Sequence, residues 1–408
     1  MPKKMNRLVA LVSSGACVIG CAVGASAWAQ APAKAEPIRI GLIMPLTGGS
    51  SDMGNSARIG AQVAINEMNE VGGFLGRPFE LVVRDDKANP DVGRQAAEEL
   101  VTKQHVLATI GFCNTGVAAK AMDVFQTNQQ VLIVPCATGT VLTAKYPPKD
   151  SFIFRTAARD SLQTQFLAAE LTKRALSRPA LLVDSTGYGD AGLVDLEAAL
   201  NKAGIKPAVV IRFPVGVKSL AEELKRARAA GADALIGYTV GPESGVLAAS
   251  RAEIGWKVPQ FGPWGLSHRS AFEASHGAVE GTMSVQTVLP NVYLERNNAF
   301  RLSYRKLSQE TPIGSMMAAA QSYDAMNLLL RAMFESSKDL SGVSLKKALE
   351  NLPRRYTGVV TTYEKPFSDA DHDAISANML WLGTWRNGER AYFYAEDAKR
   401  AAVIRYKQ

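Results

Sequence analysis

Two loops of one composition stand close together in the chain: Gly111-Phe112-Cys113-Asn114-Thr115-Gly116 and Pro135-Cys136-Ala137-Thr138-Gly139. Small residues in both let backbone N–H groups approach an anion, and Asn114, Thr115 and Thr138 add side-chain donors at the same place. The chemistry this suits is the holding of a carboxylate; the same residues also make ordinary turns, and both readings stand. Each loop follows a short apolar run, residues 106–110 and 131–134, too brief for a helix. Between the runs, Val117, Ala121, Val124 and Phe125 recur at helical spacing. A strand, a crossover helix and a strand in that order put both loops outside the carboxyl ends of neighbouring parallel strands, where open α/β sheets bind ligands.

The elements that must carry these loops alternate along the chain. Residues 38–44 and 79–83 read as strands, with helices at about 56–71, closed by Gly72-Gly73, and after Asn89-Pro90, a cap and first-turn proline. With the loop-bearing strands this makes a doubly wound lobe of four parallel strands. The chain leaves it at 152–155. A helix from Asp160 follows, then strands at 180–183, 209–213, 234–237 and 260–262 alternate with helices in a second doubly wound lobe. After Gly281 an extended stretch at 282–288 precedes two consecutive helices, 292–307 and 315–334. Residues 358–363 and 379–385 read as strands, and Arg386-Asn387-Gly388 turns the last into a hairpin of type I′. The fold class is therefore α/β with two parallel-sheet lobes.

Composition narrows the function. A chain of 408 residues, 47% hydrophobic and 21% charged, has room for two packed cores. Lys3, Lys4 and Arg7, an apolar stretch over 8–24 and Ala27-Trp28-Ala29 form a secretory signal peptide over 1–29, which predicts a periplasmic protein. Val18-Ile19-Gly20-Cys21 offers a second reading, a lipoprotein anchored through Cys21. Beyond residue 30 no run approaches the roughly 18 apolar residues of a membrane span, so a soluble or lipid-tethered mature chain is expected. The net charge is +8, of which Lys3, Lys4 and Arg7 supply three, leaving +5. Without basic runs interleaved with aromatics, nucleic acid is excluded as a partner. Cys113 and Cys136, at the ends of neighbouring strands, could pair as a disulfide or be small buried residues.

The ordered segments carry a resemblance. IRIGLIMPLTG at 38–48, GAQVAINEMNEVGG at 60–73, VVRDDKANP at 82–90, VPCATG at 134–139, FRTAARDSLQ at 154–163 and YGDAG at 188–192 resemble periplasmic solute-binding proteins of the branched-chain amino acid (Leu/Ile/Val) type, the receptor subunits of ABC importers. The resemblance implies a clamshell of two lobes joined by three crossovers, about 37–158 with 287–357 and 159–286 with 358–408. It also implies a monomer without a cofactor that delivers a small carboxylate or amino acid to permease subunits in the inner membrane. The family's carboxylate loops fall on Asn114, Thr115, Cys136, Ala137 and Thr138, and its first loop places Met53 over the cleft. In the second lobe Asp160 matches the acid that holds a ligand ammonium, with a helix N-cap as its structural alternative. Tyr188 matches a cleft aromatic. A further aromatic position falls on Val240 or Gly241, with Tyr238 close by. Two departures stand out: Trp264 occupies the place of a Glu that completes the ammonium site, and Ala88 replaces one cysteine of the family disulfide. An indole for a carboxylate points to a hydrophobic or aromatic carboxylate, although Trp264 could equally pack under the hinge.

Other classes rest on other residues. Gly187-Tyr188-Gly189-Asp190-Ala191-Gly192 is a G-x-G-x-x-G after a strand, with Arg212 at the distance of an NADP 2′-phosphate partner, so an exported oxidoreductase is the enzymatic alternative. Hydrolase signatures are missing, and His105, His268, His276 and His372 read as scattered on surface loops and helix ends, without metal-ligand spacing. A clamshell that signals to a partner protein would have the same sequence features as one that feeds a permease.

Overall fold

The computed structural model describes residues 35–407 except 310, 337 and 338; the signal segment and Cys21 lie outside the described residues. Strand β1 (Ile38–Met44) buries every side chain except Arg39, as a strand covered on both faces should. With β2 (Phe79–Asp85), β3 (Thr109–Gly111), β4 (Leu132–Val134) and β5 (Ile153–Arg155) it forms an all-parallel sheet of order β2-β1-β3-β4-β5. Four strands are expected from the sequence and five are found. The segment read as the exit is buried and pairs with β4, so the chain leaves one strand later. Asn89 caps its helix by accepting from Asp91 and Val92, and Gly72 and Gly73 end the helix Ser51–Glu70 at φ 102° and 68°. That helix begins earlier than expected, so Met53 lies in its first turn, not in a loop.

Strands β6 (Pro179–Asp184), β7 (Val209–Phe213), β8 (Ala234–Tyr238), β9 (Gln260–Gly262) and β10 (Met283–Gln286) build the parallel part of a second sheet. A two-stranded ribbon, β11 (Tyr356–Thr357) and β12 (Thr362–Tyr363), follows later. Then β13 (Trp381–Arg386) and β14 (Glu389–Tyr392) return to complete the order β14-β13-β10-β9-β8-β6-β7, pairing antiparallel at its edge. Asn387 and Gly388 turn between them with φ 53° and 74°, as a type I′ turn requires.

The chain passes between the sheets after β5, after β10 and after β12. The second passage sends the helix Met316–Glu335, buried along most of its length, back onto the helix Ser51–Glu70 beside the first sheet. Contact there is close enough that a Cβ at Gly60 would stand 2.1 Å from the Ala319 carbonyl oxygen. At the third passage one strand is expected over 358–363, but Asp324 intervenes. Its carboxylate accepts the Val359 and Val360 amides at 2.8 Å each and the Tyr363 hydroxyl at 3.1 Å, which bends the segment into the ribbon. Burial pushes the Asp324 pKa up to about 6 against those hydrogen bonds. Among the described residues no helix is long and apolar enough to cross a membrane.

Candidate functional site

Loops leaving β1, β3 and β4 in the first sheet face loops leaving β6, β8 and β9 in the second. They enclose about 310 Å³ of space free of protein atoms, part of it open to solvent. Met53, Cys113, Asn114 and Thr138 line it from one side, and Tyr188, Thr239, Val240, Gly241, Trp264, Gly265 and His268 from the other.

The first wall is pinned from below. The carbonyl of Thr138 accepts the Asp160 N–H at 2.8 Å and Arg155 Nη1 at 2.9 Å, and the Gly139 carbonyl accepts Nη1 at 2.7 Å. Arg155 is fully buried, and its Nε donates to Asp373 Oδ1 at 2.6 Å, so the cation that holds the loop is neutralised away from the cavity. The backbone work is done by groups facing inward, which leaves Thr138 Oγ1 without a partner. Asn114 Nδ2 donates to Ser50 Oγ at 3.2 Å, and its Oδ1 is also unpartnered. Thr115 Oγ1 accepts the Gly139 amide at 3.2 Å, and the Ala137 amide donates to the Phe112 carbonyl at 3.0 Å. Thr115, Cys136 and Ala137 thus lie behind the lining and shape it. Cys113 and Cys136 are free, buried thiols; Cys113 Sγ packs 3.5 Å from Met44 Sδ, and burial raises its pKa.

Asp160, like Tyr238, is not a lining residue; it is wholly buried at the start of the helix Asp160–Lys173, where Arg159 holds the N-cap position, and its carboxylate is not a cap. Both of its oxygens lack a partner at hydrogen-bonding distance. Burial pushes its pKa up to about 6, although the nearby Tyr238 and Thr138 hydroxyls and the Arg155 charge favour the ion. The rings of Tyr188 and Tyr238 meet at 5.0 Å, with both hydroxyls unpartnered. Tyr238 fits there because Gly192 has no side chain: a Cβ would lie 1.9 Å from the ring. The other glycines of the G-x-G-x-x-G spacing are also used in packing, Gly189 against the Asp184 carbonyl and Gly187 against Gly116, while Arg212 pairs with Asp190. No open phosphate loop remains at that turn.

Trp264 borders two spaces. Its buried ring lines the cavity and also borders a smaller space above the crossing segments, beside Gln163, Thr287 and Gln321. The Trp264 backbone amide donates to Gln163 Oε1 at 3.2 Å. Val240 and Gly241 line the same wall, the Val240 amide donating to Asp184 Oδ2 at 3.1 Å.

Three lining residues escape a reading of the sequence, Thr239, Gly265 and His268. Thr239 sits one residue past β8, a position that marks it as a carboxyl-end loop residue. His268 was expected on a surface loop; it is 3% exposed, and its ring meets the Trp264 ring edge-on at 5.0 Å. His372 is likewise buried, stacked on Phe154 and bonded to the Ile153 carbonyl and Glu350. Among the described residues no three His, Cys, Asp or Glu side chains gather as a metal site would need.

The comparisons with known proteins agree with this architecture. A Leu/Ile/Val-binding protein homolog 3 of Brucella melitensis is 29% identical over 262 residues, 64% of this chain and 69% of that one. The Leu/Ile/Val-binding protein BraC3 of Rhizobium johnstonii is 30% identical over 256 residues, 62% of this chain and 69% of its own. A periplasmic binding protein type 1 of Bordetella pertussis shares the fold with a TM-score of 0.79 at 21% identity, covering 87% of this chain and 99% of that one. The sequence profile described as periplasmic binding protein matches residues 37–390, and the chain belongs to that family.

Proposed function

We propose that the chain is the receptor of an ABC importer, capturing a small carboxylate between the two sheets and handing it, enclosed, to a permease. The observation that carries this reading is a set of buried polar atoms left without partners, Asn114 Oδ1, Thr138 Oγ1 and the Tyr188 hydroxyl on the cavity lining, with the Asp160 oxygens and the Tyr238 hydroxyl behind it. Buried polar groups nearly always have partners, so a ring of exceptions in one place marks where a ligand supplies them. Asn114, Thr138 and the N-terminus of the helix Thr115–Thr127 would hold the carboxylate, since no Lys or Arg lines the cavity. Met53, Val240 and the faces of Tyr188 and Trp264 would enclose an apolar body, which suits a hydrophobic or aromatic carboxylate.

A second reading, a branched-chain amino acid, is favoured by Asp160, whose two free oxygens would meet an ammonium. The names of the Brucella and Rhizobium relatives support it. In either case lobes formed by 37–158 with 287–357 and by 159–286 with 358–408 would close on the ligand in the periplasm. Mass spectrometry of copurified ligand, followed by a thermal-shift screen of benzoates, keto acids and amino acids, tests the function. Absence of stabilisation by every carboxylate would refute it.

A further inference from the structure

We infer that His268 and Thr239 select a ligand that carries a neutral hydroxyl or carbonyl group besides its carboxylate, an inference that rests on the receptor reading above. His268 lines the cavity, is 3% exposed, and has no partner for Nε2; Thr239, on the same wall, is fully buried with Oγ1 unpartnered. Neither atom belongs to the Asp160, Tyr188 and Tyr238 group. Together they are a second set of unsatisfied groups, one from the turn after β8 and one from the turn after β9.

The imidazole is fixed in place before any ligand arrives. Trp264 meets it edge-on, and Gly241 leaves it room, since a Cβ there would stand 3.1 Å from Nδ1 and 2.5 Å from Ser270 Oγ. A rigid side chain with an open hydrogen-bonding atom reads chemistry instead of adapting to it. Charge decides which chemistry. Burial lowers the His268 pKa, so the ring faces the cavity neutral, and Thr239 adds a hydroxyl. A neutral imidazole and a hydroxyl can each donate or accept, which matches a hydroxyl or a carbonyl oxygen; neither compensates a second full charge. Sites built to bond a hydroxyl discriminate strongly against the analogue that lacks it, because their own buried groups are then stranded. A small hydroxy acid, keto acid or hydroxyaryl carboxylate is therefore the expected class.

Paired probes test this by calorimetry on the full mature chain: 4-hydroxybenzoate with benzoate, and 2-hydroxy-4-methylpentanoate with 4-methylpentanoate. In at least one pair the hydroxylated member should bind about tenfold or more tighter. His268→Leu and Thr239→Val should each shrink severalfold the ratio of hydroxylated to plain-acid affinity measured within the same variant, and His268→Gln, which keeps a polar partner, should restore part of it. Circular dichroism melts identify any variant that fails to fold, and Thr239→Val, nearly isosteric, then carries the test. Carboxylates that bind the wild type equally with and without the hydroxyl would overturn the inference and leave the receptor reading intact. So would variants that retain the full preference. Failure of every carboxylate to bind would overturn both.

Discussion

Gly116 and Gly187 meet backbone to backbone across the cavity mouth: a Cβ on Gly187 would lie 3.0 Å from the Gly116 Cα. One opens the helix that follows β3 in the first sheet, and the other opens the helix that follows β6 in the second. A Cβ on Gly116 would meet Gly187 at an ordinary 3.6 Å, so the crowded side of the contact is Gly187, where a branched side chain would push the loops apart. Gly187→Val is expected to reduce ligand affinity at least about tenfold by opposing closure, a cost of about 1.4 kcal/mol or more, while the unliganded melting temperature stays nearly constant. Calorimetry with the best ligand of the screen measures it; unchanged affinity would mean that the contact is not needed for capture.

Proton linkage at Asp160 separates the two ligand readings. Its pKa of about 6 in the free protein exceeds the roughly 3.9 of an unfolded Asp, so burial of the ion costs stability above pH 6, and the cost is relieved as the pH falls toward 4. An ammonium in the cleft would lower that pKa again. Binding of an amino acid near pH 6 should then release a proton and weaken at lower pH. A carboxylate without an ammonium should instead bind with proton uptake. Calorimetry in buffers of different ionisation enthalpy reads the sign, and no exchange with any ligand would place Asp160 outside the site.

Thr138 offers the narrowest test of the anion floor. Thr138→Val keeps the shape and removes one donor, so about 1.5 to 3 kcal/mol of binding should be lost with the fold intact, as for a hydrogen bond to a charged group. Equal affinities of wild type and variant would remove that hydroxyl from the ligand's contacts.

Arg155 should matter to stability more than any surface ion pair. Arg155→Met takes from the buried Asp373 its closest counter-charge, leaving only the half-exposed Arg159, and is expected to cost up to about 3 to 5 kcal/mol in denaturant unfolding. The pair also sets a pH dependence. Burial works to raise the Asp373 pKa, but Arg155 and Arg159 hold it below the ordinary carboxylate value. Its contribution is therefore present above that ordinary value and lost as the pH falls through the depressed one. An acid-unfolding midpoint that Asp373→Asn does not move would contradict this.

The alternation of strands and helices, the Asn89 cap and the Asn387-Gly388 turn are local signals, and the observed elements follow them. Asn114, Thr138, Tyr188 and Trp264 could be placed at one cavity because carboxyl-end loops of parallel strands converge by topology. What the sequence hid depends on distant partners. β5 reads as an exit until β4 is beside it, and the ribbon at 356–363 exists because Asp324, more than 30 residues earlier, takes its amides. The G-x-G-x-x-G spacing misleads for the same reason, since Gly187 answers Gly116 and Gly192 answers Tyr238, neighbours that local sequence does not contain. His268 has no periodicity to betray it; only the turn after β9, folding back on Trp264, buries it.

The union of Arg155 with Asp373 also orders events in time. The strands of the first sheet are all made by residue 155, yet the counter-charge that lets Arg155 grip the Thr138 carbonyl lies 218 residues further along the chain. During synthesis the early part can collapse and pair its strands, but the anchoring of the Thr138 loop waits for the last tenth of the polypeptide. A chain cut short before Asp373 would lose β13 and β14 of the second sheet and would leave the buried Arg155 without its ion-pair partner, so the loop at Thr138 is secured only when the end of the chain has been made.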